Sequence, residues 1–456
     1  MTVRRTPAAK TASRSHATKL RSVGMSAVEA RAKAGLFRRC DAALDALGAP
    51  KKRWTIWVPG RIEVLGKHTD YAGGRSLLCA VERGFCARVT PRDDAVIRVT
   101  DVVRNMVREF PVRPDCTGAD NWTGYVAAVA RRVSRNFPIV TKGVEIALGS
   151  DLPRASGMSS SSALLIAIFV ALAKANELRS TPDFRDTIVS REELAAYLSC
   201  IENGADFRGL TGDTGVGTLG GSQDHTAILT SDPGKLTRYS WSPLRREGTV
   251  ALPKGYCFAI ASSGVAAEKT AGAKDSYNRA SLAVRHIVRL WNGLTYRNDA
   301  TLADAAHSAA DAPDRLRQIA RTESTAHFPA EYLVGRLEQF LLESEIIVPA
   351  ATQALSEGAL GALGAYVDWS QWATERLLGN QIPETVFLAR SAREIGATAA
   401  SAFGAGFGGS VWALVERDDA SRLLKLWEQR YRRAFPAQAT DAQFFATNAG
   451  PAAFQW

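Results

Sequence analysis

Residues Ala155–Ala163 read ASGMSSSSA and run directly into an unbroken apolar stretch from Ala163 to Ala173. No other feature restricts the fold so tightly. The stretch is well short of the ~20 apolar residues that span a bilayer. It reads as a helix that is hydrophobic all round, and such a helix is buried in a protein core. The segment before the loop, Gly143–Leu148, has the pattern of a strand. A strand, a small-residue loop and a buried helix in that order form an anion site. Small residues let backbone N–H groups approach phosphate oxygens closely, and the helix presents its positive N-terminus to the same oxygens. The hydroxyls of Ser159, Ser160, Ser161 and Ser162 are available to phosphate or to a magnesium ion. Taken alone, a Ser/Gly-rich turn is more often only a flexible loop, and it is the placement between strand and helix that argues for a site. The absence of GK[ST] excludes a Walker A loop.

The rest of the 456-residue chain alternates helix and strand patterns. Val28, Ala32, Leu36, Cys40 and Leu44 recur at helical spacing across Ser26–Leu47. Strands are expected at Trp54–Val58, Leu77–Thr90 and Val96–Thr100, and helices at Trp122–Val133 and Glu192–Asn203. A Gly/Thr-rich loop, Thr211–Ser222, is long for a connection inside a domain. Beyond it come the strand Tyr256–Ala261 and helices at Asp275–Leu294, Ala330–Leu342, Ile347–Leu355 and Ala359–Leu378. The strand Val411–Val415 and the helix Asp418–Phe435 close the pattern. This mixed order predicts an α+β fold rather than a doubly wound βαβ array. The expected organisation is a disordered basic tail (1–24), a first lobe (25–235) and a second lobe (236–456).

The net charge of +11 raises the question of nucleic acid. Arg4, Arg5, Lys10, Arg14, Lys19 and Arg21 all precede Met25 with no acidic residue among them. Most of the excess charge therefore lies in the tail, and a nucleic-acid partner is not expected. The tail has no signal-peptide apolar core. Its composition fits a transit peptide, a disordered extension or a start codon ahead of a true start at Met25. Cys40, Cys79, Cys86, Cys116, Cys200 and Cys257 form no CxxC pair, and the expectation is reduced thiols in a cytoplasmic chain without membrane attachment. A monomer is expected.

Two further segments are dense in polar residues and glycine: PGRIEVLGKHTDYAGG (Pro59–Gly74) and FGAGFGGS (Phe403–Ser410). Either alone reads equally well as a structural turn. Together with the Ser loop, and in this order, they resemble the three signatures of the GHMP kinase superfamily (galactokinase, homoserine, mevalonate and phosphomevalonate kinases). Galactokinases are the nearest branch. GGSQDHTAI (Gly220–Ile228) is similar to their segment with the catalytic aspartate, and SSGV with DSYNRA (Ser262–Ala280) to the start of their second domain. The resemblance spans roughly residues 35–417. It implies a two-lobed fold, a ribosomal-S5-like lobe followed by a ferredoxin-like helix-rich lobe, and an ATP-dependent kinase acting on a sugar hydroxyl.

The same resemblance implies roles residue by residue. Asp224 would accept or orient the proton of the attacking hydroxyl. Arg61 would hold it ionised and neutralise charge on the moving phosphoryl group. Ser156, Gly157, Met158, Ser159, Ser160, Ser161 and Ser162 would bind ATP, with Ser160 and Glu202 on Mg2+. Lys67, His68, Asp70, Gly221 and Tyr277 would contact the sugar. Three departures stand out. Ala155 replaces a glycine of the phosphate loop. Glu63 and Lys67 stand where galactokinases usually have Asn and Glu. If Glu63 and Lys67 pair, the sugar site is little altered. If Lys67 faces the sugar, the substrate is expected to be a uronic acid such as galacturonate. A third alternative is a galactokinase-like sensor that binds sugar and ATP without transfer. The segments Arg336–Ala350 and Ser370–Thr385 and the 211–222 loop also depart from the galactokinase pattern.

Overall fold

A computed structural model describes residues 7–118, 121–154, 156–266 and 274–456. Ala155 and part of the Ser262–Ala280 segment fall outside these residues. The chain forms two sheets. The larger contains β1 (Trp54–Leu65), β2 (Arg75–Arg92), β3 (Val96–Asp101), β4 (Met106–Pro111), β5 (Gly143–Ser150), β6 (Lys235–Trp241) and β7 (Leu244–Ala251). The smaller contains β8 (Tyr256–Ser262), β9 (Ala399–Phe403), β10 (Ser410–Glu416) and β11 (Gln443–Thr447), in the antiparallel order β11-β8-β10-β9. A last short strand, β12 (Phe454–Gln455), returns to the first sheet and pairs with β1.

The apolar stretch is a helix, Ser160–Ala175, with Ala163 to Ala173 all buried. It packs on β1, β2 and β5. The strands alternate: Ile56 and Val58 join that core, whereas Trp57 points to the opposite face. The helix Ala27–Ala46 covers this second face, burying Phe37, Cys40 and Leu44. Residues of the expected tail also belong here. Pro7–Ser22 is a helix rather than a disordered segment. Leu20 and Met25 are buried with Phe37 and Trp57, and the His16 ring stacks on Phe37 at 5.0 Å. Burial of those side chains supplies what the polar composition of the tail concealed.

The expected lobe boundary at residue 235 also shifts. It falls at the first residue of β6, and β6 and β7 extend the first sheet through β2. The first lobe therefore continues to Ala251 and regains Phe454 and Gln455. β1 runs on past Pro59-Gly60, where a break was expected. Pro59 lies opposite Gly84, and a register shift between Pro59 and Arg61 absorbs the irregularity. That continuation carries Arg61 and Glu63 into the centre of the molecule. In the second lobe, the helix Ala330–Leu341 passes through a π-helical turn, Leu342–Ile347, into Val348–Ser356. Leu360–Ala373 likewise ends in a π turn, Thr374–Leu378. Among the described residues, no helix is long and apolar enough to cross a membrane.

Candidate active site

β1 delivers Arg61 beside a short helix, Gln223–Thr230, that starts with Asp224 in its first turn. Arg61 Nε donates to Asp224 Oδ1 at 2.8 Å, and Nη2 lies 2.7 Å from the same oxygen. Both side chains are nearly fully buried, at 1% and 5% exposure. The guanidinium Nη1 also donates to the carbonyl of Gly157. One cation thus ties the Gln223–Thr230 helix to the Ser loop. Glu63, two residues on, accepts from Gln223 Nε2 at 3.2 Å and from the Gly404 amide at 2.8 Å. Burial raises its carboxyl to about 7, against the opposing pull of Arg61 and Lys67.

The Ser loop is divided by function. Ser156 Oγ donates to the Pro153 carbonyl at 3.0 Å, and Met158 lies in the core. Ser162 is fully buried and donates to Glu202 Oε2 at 2.8 Å. Three of the expected ATP ligands therefore turn their side chains to the protein. Ser159 caps the helix in the left-handed region (φ 58°), and its buried hydroxyl has no hydrogen-bond partner among the described residues. The first-turn amides of the helix also lack intrahelical partners. An orphaned hydroxyl with a ring of open amides suits phosphate. Glu202 and Asp224 line one small cavity with Asp70, Gly221 and Tyr277. The described residues hold no cluster of three or more metal-ligating His, Cys, Asp or Glu side chains. The donor set fits magnesium held by one or two carboxylates plus substrate phosphates. Ser160 and Glu202 are not joined directly; Ser162 makes the contact with Glu202.

The signature loop after β1 places the expected sugar contacts. An adjoining small pocket is lined by Arg61, His68, Asp70, Tyr277 and Gly404. His68 adopts φ 56°, with Nδ1 2.7 Å from Tyr71 Oη and Nε2 3.0 Å from the Ala405 carbonyl. The Gln223 amide donates to Asp70 at 3.3 Å. Gly221 approaches Asp70 so closely that a Cβ there would lie 2.5 Å from its carboxylate. Burial, reinforced by Asp70, pushes the Tyr277 phenol well above its ordinary value. Lys67 departs from expectation. Its amine donates to Ser370 Oγ at 2.7 Å and lines neither cavity. It makes no ion pair with Glu63, whose oxygens are taken by Gln223 and Gly404. Burial pushes the amine's pKa down, with Glu343, Glu63 and Glu375 opposing.

The glycine motif meets the Ser loop from the second lobe. A Cβ on Gly404 would lie 2.8 Å from the Gly157 carbonyl, so this contact requires glycine. The 211–222 loop is pinned on both sides. Arg131 reaches Asp213 and the Gly215 carbonyl, while Asn278 takes the Leu219 amide and the Gly217 carbonyl. It joins the helices Asn121–Asn136 and Lys274–Thr295 and aims Gly220 and Gly221 at the cavity. Sequence reasoning missed Arg336, Gln339 and Glu343, which bond the signature loop from the second lobe. Their only sequence signal is helical spacing within a segment that departs from the galactokinase pattern.

Comparison with known proteins bears on the same elements. The galactokinase galactose-binding signature matches residues 45–91. The GHMP kinases N terminal domain matches 124–221 and the GHMP kinases C terminal domain 351–433. Galactokinase of Glaesserella parasuis serovar 5 (strain SH0165) is 26% identical, over 85% of this chain and 91% of that protein. Galactokinase of Actinobacillus pleuropneumoniae serotype 3 (strain JL03) is 25% identical, over 83% and 89%. Lactococcus lactis galactokinase, solved in complex with galactose, shares the fold with a TM-score of 0.74 at 23% identity. That alignment covers 91% of this chain and 98% of that one. With three family models falling in chain order on the elements that build this cleft, the chain belongs to the GHMP kinase superfamily as a galactokinase-like phosphotransferase.

Proposed function

We propose that the chain transfers the γ-phosphoryl group of ATP to the anomeric hydroxyl of galactose or a closely related sugar, giving the sugar 1-phosphate and ADP. The observation that carries the reading is the Arg61 bridge between Asp224 and Gly157. It fixes a carboxylate next to a loop built for phosphate. Asp224 Oδ2 accepts the hydroxyl proton or orients the hydroxyl for attack. The Arg61 cation favours the ionised carboxylate and faces the charge that develops during transfer. The helix N-terminus and the Ser159 hydroxyl hold phosphate oxygens. Glu202 with Ser160 would hold magnesium, which would neutralise phosphate charge when bound. His68, Asp70 and Tyr277 shape the sugar pocket, and their burial excludes water that would otherwise compete for the phosphoryl group. The likeness to galactokinases in sequence supports galactose as the first substrate to try.

The position of Lys67 favours a neutral sugar over a uronic acid, because its amine is engaged by Ser370 behind the loop. The test is an ADP-release assay with magnesium-ATP over galactose, N-acetylgalactosamine, glucose, arabinose, galacturonate and glucuronate, with Asp224→Asn as the blank. Turnover of a neutral sugar, lost in the blank, is expected. Turnover of a uronate alone overturns the neutral-sugar reading. Binding of sugar and ATP without turnover would identify a sensor.

A further inference from the structure

We propose that Arg336, Gln339 and Glu343 form a clamp that positions the signature loop, and through it His68 and Asp70, for the acceptor. They follow one another at i, i+3 and i+7, a stripe along one face of a helix, and all three are fully buried. Each takes consecutive backbone groups of the loop. Glu343 Oε1 accepts from the Gly66 amide at 2.7 Å and the Lys67 amide at 3.3 Å. Gln339 Nε2 donates to the Lys67 carbonyl at 3.0 Å. Arg336 Nη2 donates to the His68 carbonyl. Arg336 Nη1 in turn donates to Gln339 Oε1 at 2.7 Å, which locks the stripe to itself. The π turn at Leu342–Ile347 widens the helix where the clamp ends. Ser344 there accepts from the Arg75 amide at 3.0 Å, so the loop is gripped at both ends.

The grip bears on two features. His68 holds a left-handed backbone conformation that a non-glycine residue adopts at a cost and keeps only when its surroundings over-determine it. The peptide groups on both sides of it are fixed, since the Lys67 and His68 carbonyls each accept a clamp bond. Lys67 stands where galactokinases usually have Glu; burial lowers the pKa of its amine, and Glu343 is foremost among the acids that oppose the fall. The clamp residues touch no reacting atom and are positioning residues.

The positioning role rests on the sugar-kinase reading of His68 and Asp70, and two measurements keep the two ideas apart. The first is backbone hydrogen exchange in the full-length protein. In Glu343→Ala, the amides of Gly66 and Lys67 should exchange about tenfold faster or more, while those of Trp54–Val58 in the preceding strand β1 stay protected. Unchanged exchange in the loop overturns the clamp, whatever the enzyme phosphorylates. The second is steady-state kinetics on the sugar that the unsubstituted protein turns over. Glu343→Ala should raise the sugar KM roughly tenfold to hundredfold and leave the ATP KM within about twofold. Glu343→Gln, which keeps an acceptor oxygen for the loop amides, should recover most of the loss. Equal effects on both substrates, or no recovery in the Gln variant, overturn the positioning role. If the unsubstituted protein turns over no sugar, the functional reading fails, and a loosened loop without a sugar effect overturns positioning for the acceptor.

Discussion

The two walls of the cleft are finished differently. On the Ser-loop wall, polar groups are left over: the Ser159 hydroxyl has no partner among the described residues, and the first-turn amides of its helix have no intrahelical partner. On the wall formed by the signature loop and the second-lobe helices, backbone groups of Gly66, Lys67 and His68 are taken by side chains. Leaving buried polar groups unsatisfied costs stability. A fold tolerates that cost where a ligand completes the bonds. The open wall is shaped to receive a polyanion; the opposite wall, satisfied in its loop backbone although Arg336 Nε and Glu343 Oε2 have no partner among the described residues, is shaped to keep one form. The contrast extends to the two buried cations of the signature. Arg61 faces the open wall through Asp224 and Gly157, whereas Lys67 faces inward to Ser370.

The contrast breaks most visibly at Asp224. Asp224→Asn keeps the shape and an acceptor for Arg61 but cannot take a proton. Turnover should fall by about 10²–10⁴-fold, with ATP affinity by calorimetry nearly unchanged. Retained turnover would move the catalytic role elsewhere on the wall. Next is Lys67→Glu. An acid placed among Glu343, Glu63 and Glu375 leaves buried like charges, and roughly 3–5 kcal/mol of stability should be lost in urea denaturation. Adding Glu343→Lys should return part of it. A Lys67→Glu chain that is fully stable and exchanges a uronate for a neutral sugar would instead place Lys67 on the open wall.

The open wall was largely legible in the sequence, and the satisfied wall was not. A small-residue loop joined to an unbroken apolar stretch is a local pattern, and the helix at Ser160–Ala175 lies within it. Arg61 and Asp224 were reached through resemblance, because 163 residues separate them and no periodicity links them. Arg336 bonds His68 across 268 residues. A fully buried arginine on a helix looks, in sequence, like any solvated charge. The edge strands β6 and β7 were missed for a related reason. Their segment RYSWSPLRREG is too charged to show a two-residue period. The helix Pro383–Ile395 does carry a start signal, Pro383 followed by Glu384. The helix Pro7–Ser22 also begins with a proline, but its burial comes from His16 and Leu20 meeting residues far along the chain, which no local pattern shows.

Glu63 sits where the walls touch, and it sharpens the comparison through pH. Its carboxyl, raised to about 7 by burial, keeps a proton in the folded chain after the unfolded carboxyl has lost it near 4.5. Ionising it therefore costs stability as pH rises from about 4.5 to about 7, by roughly 3 kcal/mol at most. Glu63→Gln should remove this slope. It also removes one acceptor, a constant offset at every pH. The stability gap between the two chains should change in favour of the variant between pH 5 and pH 7 and then stay level. A gap that is flat throughout would mean that the carboxyl ionises freely and that the contact between the walls is wetter than its burial implies.

The smallest expected effect asks which serine serves the open wall. Ser162 is bonded to Glu202 at 2.8 Å, and Ser160 lies one turn edge nearer solvent on the same helix. If Ser160 is the direct ligand of magnesium and Ser162 only steadies Glu202, Ser160→Ala should raise the magnesium concentration for half-maximal rate more than Ser162→Ala does. Losing the Ser162 hydrogen bond is worth about 1 kcal/mol, a severalfold change. At saturating magnesium, Ser162→Ala should recover nearly full turnover, since the carboxylate remains in place. The reverse order, with Ser162→Ala the more damaging, would make Ser162 and Glu202 the working pair and leave Ser160 to phosphate alone.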